Sequence, residues 1–243
     1  MAVITGASKG LGKAMALALG EAGVRLVLAS RDLTLLEAVA GEARTAGMDA
    51  LVVQTDVTSE AEVARLATTV REKFGGVDII INNAGVNVRK PMIEFTLEEW
   101  RRVMDTNLTG AFLTCRALVP LMKGRGGGRV INLTSIMSHT ALPGRTAYAS
   151  SKAGLLGFTK VLALELAPEG INVVGISPGP FATEMNAPLM NNPEASAQFL
   201  SRIPLGRWGQ PEEVAKLVVY LCSPEAAFIT GTDILMDGGW CAQ

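Results

Sequence analysis

At 243 residues, with 49% hydrophobic and 19% charged residues, the chain can bury a sizeable core, which excludes a disordered or fibrous polypeptide. Its formal net charge of -1 carries no electrostatic footprint for nucleic acid or an anionic membrane surface. The opening MAVITGASKG lacks the basic leader and apolar stretch of a signal peptide, no apolar run is long enough to span a bilayer, and Cys115, Cys222 and Cys241 are scattered without metal-ligand spacing. A reducing cytoplasm is the expected compartment, with no metal and no disulfide framework.

In chain order, short continuous apolar runs predict strands at Ala2 to Thr5, Leu26 to Ser30, Ala50 to Gln54, Ile79 to Asn82, Val130 to Leu133, Val173 to Ser177 and Ile234 to Met236. Runs of this kind mark strands buried on both faces. Between them, amphipathic stretches predict helices at Leu11 to Ala22, Leu33 to Ala46, Glu60 to Phe74, Leu97 to Lys123, Ala147 to Ala167 and Pro211 to Cys222. Start signals stand at Thr58 before Glu60, at Thr96 before Glu98 and Glu99, and at Gln210 before Pro211. This alternation predicts a doubly wound α/β domain over 1–243, a seven-stranded parallel sheet with helices on both faces. The segment from Pro178 to Gly209 is expected to be irregular and to serve as a substrate loop.

Thr5-Gly6-Ala7-Ser8-Lys9-Gly10-Leu11-Gly12 directly follows the first strand and opens the first helix. Glycine there permits a tight turn and close approach of backbone to a pyrophosphate, which the helix N-terminus also attracts. A dinucleotide-binding turn is therefore predicted. Its identity is read at the end of the second strand, where a carboxylate would hold a ribose 2′-OH and an arginine a 2′-phosphate. The residues there are Ser30 and Arg31, with Lys9 as a second cation inside the turn, so NADP(H) is preferred over NAD(H).

With these elements in place, the chain resembles the short-chain dehydrogenase/reductase family in its single-domain branch. TGASKGLG is similar to its TGxxxGxG, Asn82-Asn83-Ala84-Gly85 to its NNAG, Tyr148-Ala149-Ser150-Ser151-Lys152 to its YxxxK, and Ser177-Pro178-Gly179 to its PG turn. The resemblance implies a ketone/secondary alcohol oxidoreductase with a catalytic tetrad of Asn107, Ser135, Tyr148 and Lys152. It also implies Asp56 and Val57 beside the adenine, Asn83, Ala84 and Gly85 beside its ribose, and Pro178, Gly179, Phe181 and Thr183 beside the nicotinamide and phosphates. Lys152 would bond the nicotinamide ribose, and a homotetramer would pack through the helices from Leu97 and Ala147 and the last strand.

Chemistry asks for the same groups. A carbonyl oxygen receiving hydride needs a proton donor within hydrogen-bond reach. Bringing a tyrosine from ~10 towards neutrality takes about 4 kcal/mol of preferential phenolate stabilisation. Lys152, at i+4 from Tyr148 on one helical face, is expected to favour the phenolate. Asn107 sits mid-helix, where asparagine is a poor helix former.

Asn87, Arg89, Ile136, Met137, His139, Arg145 and the segment from Phe181 to Met190 are expected around the substrate. Arg145 either faces an anionic group or is a surface residue at a helix start, and His139 reads as a rim or packing residue. The stretch Ser177 to Val214 resembles both gluconate 5-dehydrogenase and 3-oxoacyl-acyl carrier protein reductase branches, leaning to the former through PLGRWG and NNPE. A sugar acid such as 5-keto-gluconate, a β-ketoacyl thioester and a non-catalytic NADP-binding sensor remain alternatives.

Overall fold

A computed structural model describes residues 1–242. Seven strands, β1 (Ala2–Thr5), β2 (Leu26–Ser30), β3 (Ala50–Gln54), β4 (Ile79–Asn82), β5 (Gly128–Leu133), β6 (Ile171–Pro178) and β7 (Asp233–Met236), form one sheet in the order β3-β2-β1-β4-β5-β6-β7. Every neighbouring pair is parallel. The chain winds outward from β1 in one direction to β3 and then from β4 in the other. The β1/β4 boundary is thus the switch point, where a crevice opens at the carboxyl edge.

The apolar runs explain the layers. Alternate residues of one strand face opposite sides of the sheet, so Ile4, Leu28 and Ile81 join one core with Met15, Leu36 and Val218. Val3, Val27 and Ile80 join the other with Leu66, Leu118 and Leu162. The first core is covered by α1 (Gly10–Glu21), α2 (Leu33–Thr45) and α9 (Pro211–Leu221), the second by α3 (Glu60–Phe74), α5 (Gly110–Leu118) and α6 (Thr146–Leu166).

Three local expectations are corrected. Ser59, not Thr58, caps α3, its hydroxyl accepting the Glu62 N–H, while Thr58 turns back to Asp56. The helix expected from Leu97 to Lys123 is broken into α4 (Leu97–Met104), a π-turn over Asp105–Thr109, α5, and a 3₁₀ turn at Val119–Leu121. The inserted residue of the π-turn frees Asn107 to serve two other segments. The segment from Pro178 to Gly209 is not wholly irregular: it carries α7 (Ala187–Met190) and α8 (Pro193–Leu200), the latter opened by Asn192, whose side chain accepts the Ala195 N–H, and by Pro193 in its first turn.

Candidate active site

The glycine turn is shaped by close contacts. A Cβ on Gly12 would stand 2.2 Å from the Gly6 carbonyl oxygen, and one on Gly6, at φ +65°, would meet Asn83 Nδ2 at 2.8 Å. Asn83 Nδ2 donates to the carbonyls of Thr5 and Gly6, both at 3.0 Å, tying the turn to the loop after β4. Below it, Asn82 Nδ2 donates to Asn132 Oδ1 across the β4/β5 register, and Asn132 Nδ2 to Thr159. The two asparagines thus have different duties, one in the sheet and one at the turn.

A cleft of about 450 Å³ runs along this carboxyl edge. Gly6, Ser8, Lys9, Gly10, Leu11, Ser30, Arg31, Asp56, Val57, Asn83, Ala84, Gly85, Pro178, Gly179, Phe181 and Thr183 all line it, as do Ser135, Arg145, Tyr148 and Lys152. Gly12 lies behind the turn as a packing residue. The end of β2 presents hydroxyls and a cation: Ser30 Oγ donates to Ser8 Oγ at 3.1 Å, and the Arg31 side chain is 60% exposed, 4.0 Å from Asp56. Asp32 is committed to α2, its side chain accepting the Leu35 N–H. The strand itself ends on Ser30, followed by Arg31, with Asp32 one residue further on the cleft wall, and the donors present fit a phosphate.

At the other end Tyr148 and Ser135 both line the cleft, and Ser135 Oγ accepts the Met137 N–H, which orients it. Lys152, 4% exposed, points its Nζ at the Leu133 carbonyl and lies 5.8 Å from the Tyr148 ring centroid. Burial depresses Lys152 to about 8. Burial also pushes Tyr148 above the ordinary tyrosine value, partly offset by Ser135, Arg145 and Arg89. This corrects the expectation that Lys152 draws the phenol down. The ammonium is directed to a carbonyl, and desolvation of the phenolate outweighs the stabilising contacts.

Asn107 does not line the cleft but stands behind it, fully buried. Its Oδ1 accepts the Val86 N–H at 2.8 Å, and its Nδ2 donates to the Val86 carbonyl and Ser151 Oγ, each at 3.0 Å. A Cβ on Gly85 would lie 3.3 Å from Asn107 Oδ1 and 3.7 Å from Lys152 Nζ, a tight fit against the asparagine and ordinary contact with the lysine.

Among the expected substrate neighbours, Asn87, Arg89, Ile136, Met137 and Arg145 line the cleft, whereas His139 does not. His139 Nε2 pairs with Asp233 Oδ2 at 2.6 Å, outside the cleft. Met190 faces a separate hollow beside α1. Sequence reasoning placed Glu184 correctly within the segment from Phe181 to Met190 but missed Leu142 and Phe199 in the lining. Phe199 had a legible signal, since Asn192-Pro193 opens a helix that carries it over the cleft, where it stacks on Trp208 with ring centroids 5.5 Å apart.

Comparison with known proteins agrees with this architecture. A family model described as enoyl-(acyl carrier protein) reductase matches residues 6–241. The chain is 42% identical over 241 residues to a 3-oxoacyl-[acyl-carrier-protein] reductase of Synechocystis, covering 98% of this chain and 96% of that one. A structure from Agrobacterium tumefaciens, provisionally assigned as a gluconate dehydrogenase, superposes with a TM-score of 0.97 at 39% identity, covering 100% and 96%. A gluconate 5-dehydrogenase of Burkholderia cenocepacia, solved with NADP and tartrate, superposes with a TM-score of 0.95 at 33% identity, covering 100% and 95%. The chain belongs to the short-chain dehydrogenase/reductase family of oxidoreductases.

Proposed function

We propose that this protein interconverts a ketone and a secondary alcohol with NADP(H), using Tyr148 as the acid in reduction and the base in oxidation. The observation that carries the reading is the gathering of Ser135, Tyr148 and Lys152 in the cleft that the glycine turn borders, with Lys152 Nζ 5.8 Å from the Tyr148 ring centroid. Bound NADPH supplies the hydride and, once oxidised, a positive charge near the phenol. The turn Gly6–Gly12, with Lys9, Ser30 and Arg31, would hold the phosphates, Asp56, Val57, Asn83, Ala84 and Gly85 the adenosine, and Pro178, Gly179, Phe181, Thr183 and Lys152 the nicotinamide side.

The chemistry of this chain's own groups follows. Ser135 donates to the substrate oxygen and holds it against the Tyr148 hydroxyl. Tyr148, protonated because burial raises its pKa, gives that oxygen a proton as it becomes an alkoxide. Lys152 holds position through the Leu133 carbonyl, and Asn107, by fixing Val86 and Ser151, supports the return of a proton to Tyr148.

Purified protein should oxidise NADPH with a panel of ketones, Tyr148→Phe should abolish turnover while NADPH still binds, and tight NADPH binding without turnover on any ketone would instead favour a sensor. The substrate reading is a sugar acid such as 5-keto-gluconate, with a β-ketoacyl-carrier thioester as the alternative that the Synechocystis relative favours. Three free thiols suit a reducing cytoplasm.

The assembly proposed is a homotetramer. Exposed apolar residues Phe112 on α5, Val161 and Leu164 on α6 and Leu235 on β7 support it. Gly157 leaves room for a second chain, whereas Gly154 is already packed against Leu108 of its own chain. A monomer mass by light scattering at micromolar protein would overturn that assembly.

A further inference from the structure

Two guanidiniums line the reacting end of the cleft. Arg145 stands at the N-terminus of α6, three residues before Tyr148, and Arg89 comes from the loop after β4. They are close enough that Arg145 interacts with the charges of both Arg89 and Tyr148. Several cations elsewhere in the chain are paired with carboxylates, as in Arg207 with Glu213 at 2.7 Å and Lys90 with Glu99 at 2.6 Å. Here they are not. Arg89 donates to Asn186 Oδ1 at 2.9 Å and to the Met185 carbonyl, both neutral, and the Arg145 side chain has no hydrogen-bond or ion-pair partner among the described residues. The nearby carboxylate, Glu184, is turned to the glycine turn, where its Oε2 would lie 3.3 Å from a Cβ on Gly10.

Gathering like charges in a partly desolvated site is unfavourable unless an anion completes it. We propose that Arg89 and Arg145 clamp the carboxylate of a small oxo-acid or hydroxy-acid, whose reacting carbon lies at Ser135 and Tyr148. This rests on the acid/base reading of Tyr148 above. A planar guanidinium fork matches a carboxylate in two parallel hydrogen bonds. Because both arginines flank the reacting tyrosine, the carboxylate must be within a few bonds of the reacting carbon. The phosphate of an acyl-carrier thioester is separated from its β-carbon by the whole carrier arm and cannot reach the same point. Arg89 also fastens the segment that enters α7, so an anion drawn to it seats beneath that cover.

The test is calorimetric titration of the NADP⁺-loaded protein with D-gluconate and 3-hydroxybutyrate, each beside its neutral amide. At least one acid is expected to bind about 100-fold tighter than its amide, a difference of about 2.7 kcal/mol. Arg145→Met and Arg89→Met should each cut that ratio to less than about tenfold, with unchanged Tm, and Arg145→Lys should keep part of it. If Arg145→Met fails to fold, Arg145→Gln gives the same comparison. Acids that bind no tighter than their amides, or a ratio that survives in both arginine variants, would overturn the clamp. Tyr148→Phe should retain the ratio while losing turnover. If that variant still turns over, the acid/base reading fails and the clamp stands.

Discussion

Lys152 Nζ lies 5.8 Å from the Tyr148 ring centroid and is directed not at the phenol but at the carbonyl of Leu133. The lysine is buried and charged, and its pKa is depressed to about 8 from an ordinary 10.5. Between these values the folded protein holds fewer protons than the unfolded chain, so this group makes stability rise with pH over that window. Wild-type protein should therefore gain Tm relative to Lys152→Met as pH is raised from about 8 to about 10. Parallel thermal melts that show a constant gap across this window would contradict the assignment.

Cofactor selectivity is expected to rest on Arg31. A hydrogen bond to a charged group contributes roughly 1.5–3 kcal/mol, and Arg31 is tied only loosely to Asp56 at 4.0 Å, leaving it free for a phosphate. Arg31→Ala should lower kcat/KM for NADPH about 10- to 100-fold and change that for NADH by only a few fold. Steady-state kinetics with both cofactors decides this, and equal losses would place the selectivity elsewhere.

Gly12 and Gly41 should respond in opposite directions to alanine. At Gly12 the new Cβ would stand 2.2 Å from the Gly6 carbonyl oxygen, so the helix must move off the turn; overpacking of this kind costs roughly 1–3 kcal/mol. Gly41 lies within α2 with open space around it, and alanine there should stabilise by about 0.5–1 kcal/mol. Denaturant unfolding of both variants checks the pair, and Gly12→Ala should also weaken NADPH binding.

Asp233 on β7 anchors the segment after β5 that carries Ser135, from outside the cleft. Its carboxylate meets Thr134 Oγ1 and His139 Nε2, each at 2.6 Å, and accepts the Ser177 hydroxyl. Thr134 and His139 bracket Ser135. Asp233→Ala would leave His139 Nε2 unpaired and reduce Thr134 and Ser177 to each other and the Ile176 carbonyl, at a cost of roughly 1–3 kcal/mol, and should lower kcat through misplacement of Ser135. A double-mutant cycle with His139→Ala should be non-additive. Additive losses would mean that the pair does not act as a unit.

Much of this was readable in the chain because it is local. Continuous apolar runs call for cover on both faces, so the seven strands and a doubly wound parallel sheet follow from pattern, whereas their order in the sheet does not. The glycine turn is legible because its backbone needs Gly6 at positive φ and no side chain at Gly12, and the i+4 spacing of Tyr148 and Lys152 places both on one face of α6. What stayed hidden depends on distant partners. The π-turn at Asn107 exists because Val86 and Ser151 come to meet it, and nothing between Leu97 and Lys123 encodes those neighbours.

The same division runs through the electrostatics. Sequence by itself determined which ionisable groups exist and that Lys9 and Arg31 lie at the carboxyl edge of the sheet, since each follows closely on a strand that its own apolar run predicts. Only the tertiary structure decided that Tyr148 is raised rather than lowered, that His139 belongs to Asp233 and that Arg89 and Arg145 converge without a counterion. Those outcomes depend on desolvation and on charges from separate strands and loops, which chain spacing does not carry.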